Sequence, residues 1–257
     1  MDLVNDHCGI ARDERGVVRV TICNAGPLNI LGTPVIQGLI AGINSLRDDA
    51  SIRALVLGGE SPKSMIGGAD IKEMAKLDPA SAERFISGLR DLCEAIRQFP
   101  APVIARLPGW CLGGGLEVAA ACDIRVAADN ARFAMPEVKI GIPSVIHAAL
   151  LPRLIGWGRA RWLIMTAATI DAPTALSWGL VDVIAPSAQL DDAVEATLAD
   201  LLACGPQALR SQKALLRQWE ELPLTPSVNL SVPVFGDSFR TGEPQRLMAE
   251  FLDRKNK

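Results

Sequence analysis

Three consecutive glycines, Gly113, Gly114 and Gly115, constrain the fold of this chain more than any other feature of its sequence. They follow a short apolar segment at residues 102–105, typical of a buried strand, and precede a small, apolar, helix-compatible run at residues 116–122. Glycines at a strand-to-helix junction indicate a backbone that another group approaches closely. Because the first amides of a helix lack intrahelical acceptors, the junction predicts free N–H groups that can bind an anion.

An acidic side chain lies next to this predicted anion site. Glu117 falls in the first turn of the expected helix, within an otherwise apolar run. One interpretation is a catalytic carboxylate beside a developing negative charge. The other is a tight turn followed by a carboxylate that the helix dipole favours. This stretch alone leaves both interpretations open.

Two further stretches carry the same kinds of signal. Gly67 and Gly68 precede a second expected helix start, which again places free amides near a helix N-terminus. The alternative there is a capped helix with Asp70 in its first turn. Glu137 follows Pro136 and is flanked by apolar residues, so it is a candidate acid or base, with a surface-loop carboxylate as the alternative.

The composition excludes several classes of function. A chain of 257 residues with 49% hydrophobic and 21% charged residues is expected to form one large globular domain, or one domain with a small appendage. A net charge of −3 without a basic cluster gives no indication of a nucleic-acid partner, and no apolar run is long enough to span a membrane. We also find no signal peptide, GxSxG motif, P-loop or GxGxxG motif.

The cysteine content indicates a reducing compartment, and the histidine content argues against a metal site. Six cysteines occur without CxxC spacing, mostly in apolar contexts, which is typical of a reducing, cytoplasmic environment. The chain has only two histidines, so we expect neither a structural zinc site nor another metal site.

Periodicity and turn signals predict a mixed α/β chain that begins with a hairpin. The expected strands are residues 9–12, 17–23, 52–57, 102–105, 124–128, 131–134 and 181–184, and residues 61–66 are expected to be a loop. The expected helices are residues 33–48, 80–98, 116–122, 146–154, 158–166, 172–178, 191–204, 206–222 and 243–255, the last after a proline-containing linker. Units of about 33 residues suggest a degenerate strand–strand–helix repeat.

Three motifs together resemble the crotonase (enoyl-CoA hydratase/isomerase) superfamily, and the resemblance extends over about residues 9–251. They are GGADIKEM at residues 67–74, GGGLE at residues 113–117 and PEVKIG at residues 136–141. The resemblance implies an α/β spiral of repeated strand–strand–helix units at residues 1–185, which holds the acyl-CoA site. It further implies a C-terminal helical trimerisation region at residues 186–257, and hence a homotrimer or a dimer of trimers.

The resemblance also implies a mechanism. The amides of Ala69 and Gly114 form an oxyanion hole for the thioester oxygen, Glu137 delivers a proton to the α-carbon, and Glu117 holds and activates the water. Coenzyme A is part of the substrate, and neither a cofactor nor a metal is expected. The implied substrate-binding residues are Leu28, Gly68, Ala69, Asp70, Ile71, Lys72, Gly113, Gly114, Pro136, Ile146 and His147.

The segment after Pro143 departs from the family pattern. Three glycine-like positions are occupied by Ser144, Ile146 and His147. Added side-chain volume near the acyl pocket leads us to expect a branched, functionalised or cyclic acyl group rather than a short straight one. His147 is either a third polar group of the site or a cap or packed core residue.

The leading hypothesis is a hydro-lyase that acts on a 2-enoyl-CoA thioester. It adds water across the double bond, or forms the double bond by removing water. Two carboxylates favour it over the alternatives within the family, which are double-bond isomerisation, carnitinyl-type dehydration and C–C cleavage. A non-catalytic member of the family is a further alternative.

Overall fold

The computed structural model describes residues 1–255 and shows a mixed α/β chain. The strands are β1 Asp2–Asn5, β2 Cys8–Arg12, β3 Val17–Ile22, β4 Ala54–Gly59, β5 Ser64–Ile66, β6 Val103–Leu107, β7 Trp110–Leu112, β8 Ile124–Ala128, β9 Arg132–Ala134, β10 Thr169–Asp171 and β11 Val183–Ala185. The α-helices are α1 Thr33–Ser45, α2 Ile71–Met74, α3 Pro79–Arg97, α4 Gly114–Ala121, α5 Leu151–Thr166, α6 Ala172–Trp178, α7 Leu190–Leu202, α8 Pro206–Glu221, α9 Leu224–Ser238 and α10 Glu243–Lys255. Short 3-10 helices at Glu137–Ile140 and Ile146–Leu150 contribute to the site described below.

The strands form two sheets that share a repeating connection. The large sheet has the order β1-β2-β3-β4-β6-β8-β11, in which β1, β2 and β3 pair antiparallel and the strands from β3 to β11 pair parallel. The small sheet has the order β10-β9-β7-β5. The chain passes from β4 to β5, from β6 to β7 and from β8 to β9, and a helical segment follows each pair. The structure therefore confirms the predicted strand–strand–helix spiral.

Both faces of the large sheet are covered, as parallel strands require. Leu55 and Leu57 of β4 face the main core, which α1, α3 and α4 complete. Ala54 and Val56, which alternate with them, face a second core on the opposite side. The residues of α7 in this second core are Leu190, Val194 and Leu198. Thus α7, which lies in the predicted C-terminal region, packs directly on the sheet.

The structure corrects one prediction in the C-terminal region. The expected proline-containing linker before α10 is helical over most of its length, as α9, with Pro233 inside the helix. Val228, Val232 and Phe235 recur at helical spacing and give α9 an exposed apolar face, and the helix continues through Pro233 although a proline removes one backbone hydrogen bond. Of the helices in residues 1–255, none has the length and apolarity needed to cross a membrane.

The helices expected at residues 146–154 and 158–166 are instead a 3-10 helix, Ile146–Leu150, and the single helix α5, which has a kink at Gly156. Differences among the strands mostly concern short ones. The strands β1, β7 and β10 have no counterpart among the expected strands, and β5 lies in the segment expected to be a loop. Each has only three or four residues, too few for an alternating pattern to stand out. The strand expected at residues 52–57 is shifted to Ala54–Gly59, so that both glycines pair with β3. There the backbone of Gly59 passes so close to Asn29 that a Cβ would lie 2.0 Å from Nδ2.

Candidate active site

The glycine triplet forms the junction between β7 and α4 and leaves an amide free. Gly113 has a φ of +51°, a conformation that disfavours other residues, and its N–H donates to the Ala134 carbonyl. Gly114 begins α4, which no side chain caps. Within residues 1–255 the Gly114 amide has no protein acceptor, so it is available to an anion.

A bridge to Leu31 produces the second free amide. The Leu31 N–H donates to the Gly68 carbonyl, and the Asp70 N–H donates to the Leu31 carbonyl, both over 2.9 Å. These bonds fix the residues on either side of Ala69. In the described part of the chain the Ala69 N–H itself has no acceptor. Both amides predicted for the oxyanion hole are therefore unpaired.

Close packing explains why position 115 must be glycine. A Cβ on Gly115 would lie 2.4 Å from the Ile66 carbonyl oxygen, a distance that requires displacement of the β5 backbone. A Cβ on Gly114 would lie 2.7 Å from Leu89 Cδ2 on α3, so the end of that side chain would have to shift. The triplet thus permits α4 to pack tightly between these elements.

Glu117 is a buried carboxyl in the first turn of α4. Glu117 is only 4% exposed, and its Oε1 accepts a hydrogen bond of 2.9 Å from the Ala148 N–H. Burial raises the pKa of Glu117 to about 8, and the negative charge of Glu137 adds to this, whereas the Ala148 hydrogen bond opposes it. At neutral pH the carboxyl is therefore mostly protonated in the unliganded protein.

Glu137 begins a 3-10 helix and faces the glycine triplet. A Cβ on Gly113 would lie 2.3 Å from Glu137 Oε1, so this carboxylate lies directly against the glycine that precedes the free Gly114 amide. The Ser144 hydroxyl donates to the other oxygen, Oε2, over 2.8 Å. This placement beside the glycine triplet favours a site carboxylate over the alternative of a surface-loop carboxylate.

Two carboxyls in electrostatic contact beside free amides have a defined chemical capacity. The pair does not ionise fully near neutral pH, so one carboxyl can donate a proton while the other accepts one. Two amides that lack acceptors can stabilise an oxyanion. Within residues 1–255 there is no cluster of three or more His, Cys, Asp or Glu side chains suited to a metal ion.

The predicted substrate-binding residues at the start of α2 form an exposed edge near Ala69. Asp70 is the N-cap of α2, one position before its first turn, and its carboxylate accepts from the Lys72 and Glu73 amides. The helix is thus capped, as in the structural alternative, but Asp70 is the cap itself and not a residue of the first turn, and the cap uses the Lys72 N–H. Ile71 is 58% exposed. The Leu28 carbonyl accepts from the Gly67 N–H over 2.7 Å, which places the Leu28 loop beside the second glycine pair.

Ile146 and His147 occupy the altered segment in an unexpected way. Ile146 has a φ of +41°, which is strained for a β-branched residue and costs on the order of 1–3 kcal/mol. His147 is buried, and its Nε2 lies 2.7 Å from Glu94 Oε1 on α3. Burial lowers the pKa of His147, although the hydrogen bond to Glu94 opposes this change. The structure thus gives the ring a protein partner, in line with the packed-residue alternative.

Two polar groups beside the carboxyls could not be assigned to the site from the sequence. The sequence marks Ser144 only as a change in size, yet its hydroxyl binds Glu137, and the Ala148 amide cannot be identified because any residue except proline carries one. Asn29, next to Leu28, has a structural role. It is 1% exposed with a φ of +51°, which asparagine tolerates, and its Nδ2 donates to the Ser64 and Met65 carbonyls.

Comparisons with known proteins agree with this geometry. The model of the enoyl-CoA hydratase/isomerase family matches residues 12–257. The chain is 31% identical over 247 residues to a short-chain-enoyl-CoA hydratase of Clostridium acetobutylicum, covering 96% of this chain and 95% of that protein. It is 32% identical over 251 residues to the mitochondrial methylglutaconyl-CoA hydratase of Homo sapiens, covering 96% and 74%. Its fold is similar to the crystal structure of an enoyl-CoA hydratase from Mycobacterium smegmatis, with a TM-score of 0.93, 28% identity and 97% of each chain covered.

Proposed function

The chain belongs to the enoyl-CoA hydratase/isomerase family and is a hydro-lyase of enoyl-CoA thioesters, and we propose that Glu117 and Glu137 carry its acid–base chemistry. The observation that supports this assignment most strongly is the contact at Gly113. There the carboxylate of Glu137 lies against the glycine that precedes the unpaired Gly114 amide.

The free amides account for activation of the thioester. Attack of water on the β-carbon, or loss of the α-proton in the reverse direction, moves negative charge onto the thioester oxygen. We assign the Ala69 and Gly114 N–H groups to that oxygen, because both lack protein acceptors in the described residues. Loss of one such donor typically costs roughly 3–4 kcal/mol of transition-state stabilisation.

The two carboxyls account for the proton transfers. In hydration, ionised Glu117 takes a proton from water while Glu137 gives one to the α-carbon. Dehydration uses the opposite arrangement, with Glu137 as the base and Glu117 as the acid for the departing hydroxide. The raised pKa of Glu117 favours this second arrangement in the unliganded protein. A pair that shares one proton can therefore work in both directions.

Two carboxyls also favour hydration over isomerisation. A shift of a double bond needs one group that moves a proton, whereas addition of water needs a base on oxygen and an acid on carbon. Similar proteins are named as hydratases of short-chain enoyl-CoA and of methylglutaconyl-CoA. We propose an acyl-CoA substrate of that general size. Coenzyme A enters as part of this substrate, and the proposed steps use protein groups alone.

Apolar side chains on the C-terminal helices support the proposal of a homotrimer or a dimer of trimers. Val232 and Phe235 of α9 are 70% and 69% exposed in the single chain, and Phe251 and Leu252 of α10 are also exposed. Apolar surface of this kind is usually covered by a partner. We propose that residues 186–257 supply much of this contact. The six free cysteines, five of them buried, support a cytoplasmic location.

The decay of the enoyl-thioester absorbance band, measured with a panel of 2-enoyl-CoA substrates, tests the proposal. The wild-type protein should remove the band, and Glu137→Gln should abolish turnover while still binding the thioester, because an amide cannot exchange the α-proton. Glu14, an exposed carboxylate in the β2–β3 turn, provides the control, and Glu14→Gln should retain full activity. Normal turnover by Glu137→Gln would remove Glu137 from the mechanism.

A further inference from the structure

The backbone that holds Glu117 lies in a strained segment. The amide that binds Glu117 belongs to Ala148, two residues after Ile146 with its φ of +41°. A β-branched residue adopts this conformation only where its surroundings enforce it. Some contact must therefore keep the segment from relaxing, since relaxation would move the Ala148 N–H away from Glu117.

His147, between these two residues, makes that contact. Its ring is buried, and Nε2 lies 2.7 Å from Glu94 Oε1 on α3. Since an ionised carboxylate only accepts hydrogen bonds, Nε2 must carry the proton and donate to Glu94. In the neutral ring Nδ1 then has only a lone pair, and it is buried without a partner in residues 1–255. The ring is thus placed for one bond, which ties the strained segment to α3.

Glu94 also forms an ion pair with Arg97, three residues later on α3. Arg97 Nε lies 3.4 Å from Glu94 Oε1, and Arg97 Nη2 lies 3.0 Å from Glu220 Oε2 on α8. Although desolvation raises the pKa of Glu94, the His147 hydrogen bond and the Arg97 charge outweigh it, so the pKa is lowered. Glu94, ionised and close to the Arg97 charge, is therefore an acceptor for the His147 N–H.

We propose that His147, bound to Glu94, is a positioning residue that holds the strained segment and thereby aims the Ala148 amide at Glu117. His147 thus affects the reaction indirectly, through the orientation of Glu117 and through the proton affinity of Glu117. This inference rests on the proposed role of Glu117. It gives the histidine a function other than contact with the acyl group.

The charged surroundings define what loss of the contact should do. The ring of His147 faces Glu94 and Arg97 from α3 and the charge of Arg217 from α8. Glu117 faces Glu137 and, from α3, the Cys93 thiol, whose pKa burial raises so that it stays neutral. Because the Ala148 hydrogen bond favours ionised Glu117, its loss should raise the pKa of Glu117 further.

Two substitutions of His147 separate positioning from packing. In His147→Gln the side-chain amide can replace Nε2 and still donate to Glu94, whereas in His147→Asn it reaches only the position of Nδ1, where no partner lies in residues 1–255. We expect His147→Asn to lower kcat by on the order of tenfold to a hundredfold and to raise the pKa of Glu117 by about one unit. His147→Gln should restore most of kcat and the wild-type pKa.

Removal of Glu94, the partner of His147, should lower kcat and raise the pKa of Glu117 in the same way. Because the Glu94 side chain is 41% exposed, we expect Glu94→Ala to fold, and it replaces His147→Asn if that variant does not. Glu83→Ala, at an exposed position of the same helix, and His7→Asn, at the other histidine, are the matched controls. Both should behave as wild type.

Strain at position 146 offers an independent check. Glycine adopts the observed φ freely, so in an Ile146→Gly background the segment needs less support. The fold-loss in kcat caused by His147→Asn should therefore be several times smaller there than in the wild-type background. An equal loss in both backgrounds would contradict the strain that the proposal invokes.

The decisive experiment measures kcat and the pKa of Glu117 in wild type, His147→Asn, His147→Gln and Glu94→Ala. The pKa comes from the pH dependence of the carboxyl infrared band that Glu117→Gln abolishes. A wild-type kcat and pKa in His147→Asn or Glu94→Ala would overturn the inference, as would a loss of kcat that His147→Gln does not restore and that leaves the pKa unchanged. If the wild-type protein hydrated no enoyl-CoA, the proposed function would fail, yet the titration of Glu117 would still decide the positioning role.

Discussion

The amide N–H of Ala148 donates to Oε1 of Glu117 over 2.9 Å, and this bond opposes the burial that raises the pKa of the carboxyl to about 8. A backbone donor from one loop thus adjusts the proton affinity of a side chain on a different element. The balance leaves Glu117 mostly protonated at neutral pH, yet the carboxyl ionises at a pH only slightly above neutral. An acid–base group that must work in both directions needs such a balance.

The raised pKa of Glu117 makes stability depend on pH. The folded state retains a proton that the unfolded state releases near pH 4.5, so the free energy of unfolding should fall as pH rises from about 4.5 to about 8 and then level off. The total decrease from this group is on the order of a few kcal/mol. In Glu117→Gln this part of the pH dependence should disappear. Urea unfolding between pH 5 and pH 9 provides the measurement, with Glu14→Gln as control, and an unchanged slope in Glu117→Gln would contradict the assignment.

The substitution Gly113→Ala should strongly reduce catalysis. The added Cβ would lie 2.3 Å from Glu137 Oε1, and the φ of +51° at this position is unfavourable for alanine. We expect kcat to fall by about a hundredfold, since a displaced carboxylate is no longer aligned with the α-carbon. Gly26 also has a positive φ, +71°, but a Cβ there would meet no atom of residues 1–255 within 4 Å, so Gly26→Ala controls for backbone strain alone. Comparable losses in the two variants would show that contact with Glu137 is unimportant.

Removal of the Ser144 hydroxyl should weaken catalysis moderately. This hydroxyl donates to Glu137 Oε2 over 2.8 Å and helps to orient the carboxylate. We expect Ser144→Ala to lower kcat by about tenfold, in keeping with the loss of one hydrogen bond to a charged group. The exposed Ser177, whose hydroxyl donates to the Thr174 carbonyl, gives the control Ser177→Ala. Steady-state kinetics that show equal kcat for both variants would exclude this role.

Light scattering should give a mass three or six times the 27.4 kDa of the chain. Val232 and Phe235 are largely exposed on α9, and a partner chain is expected to cover them. Phe235→Asp should therefore lower the mass at micromolar concentration, because a charge buried in an apolar interface is unfavourable. A monomeric wild-type protein would contradict the proposed assembly.

Particular residues show how far the sequence could predict the structure. The bounds predicted for α6 and α10 agree with the structure, in which Gly179 follows α6 and Gly242 precedes α10, both with positive φ. The resemblance of the glycine motifs predicts the pair of free amides and both glutamates, since these depend on local backbone and residue type. Short strands such as β7 are determined by partners distant in sequence, and no local pattern predicts them.

The altered segment shows the limit for side chains. From the sequence, Ser144, Ile146 and His147 predict added volume near the acyl pocket, and this stays a prediction. The structure shows two other consequences, a strained φ at Ile146 and a bond from His147 to Glu94, 53 positions earlier in the chain. Neither follows from residue size, because the first depends on how the loop closes and the second on how α3 packs against it.

Hydration in ¹⁸O-labelled water tests the central claim most directly, with the product analysed by mass spectrometry. The account predicts that the wild-type protein converts a 2-enoyl-CoA to a 3-hydroxyacyl-CoA with one ¹⁸O at the β-carbon. In deuterium oxide the product should gain one deuterium at the α-carbon, and neither label should be incorporated by Glu117→Gln or Glu137→Gln. An unlabelled 3-enoyl isomer from the wild-type protein, or labelled product at wild-type rates from either variant, would contradict the account.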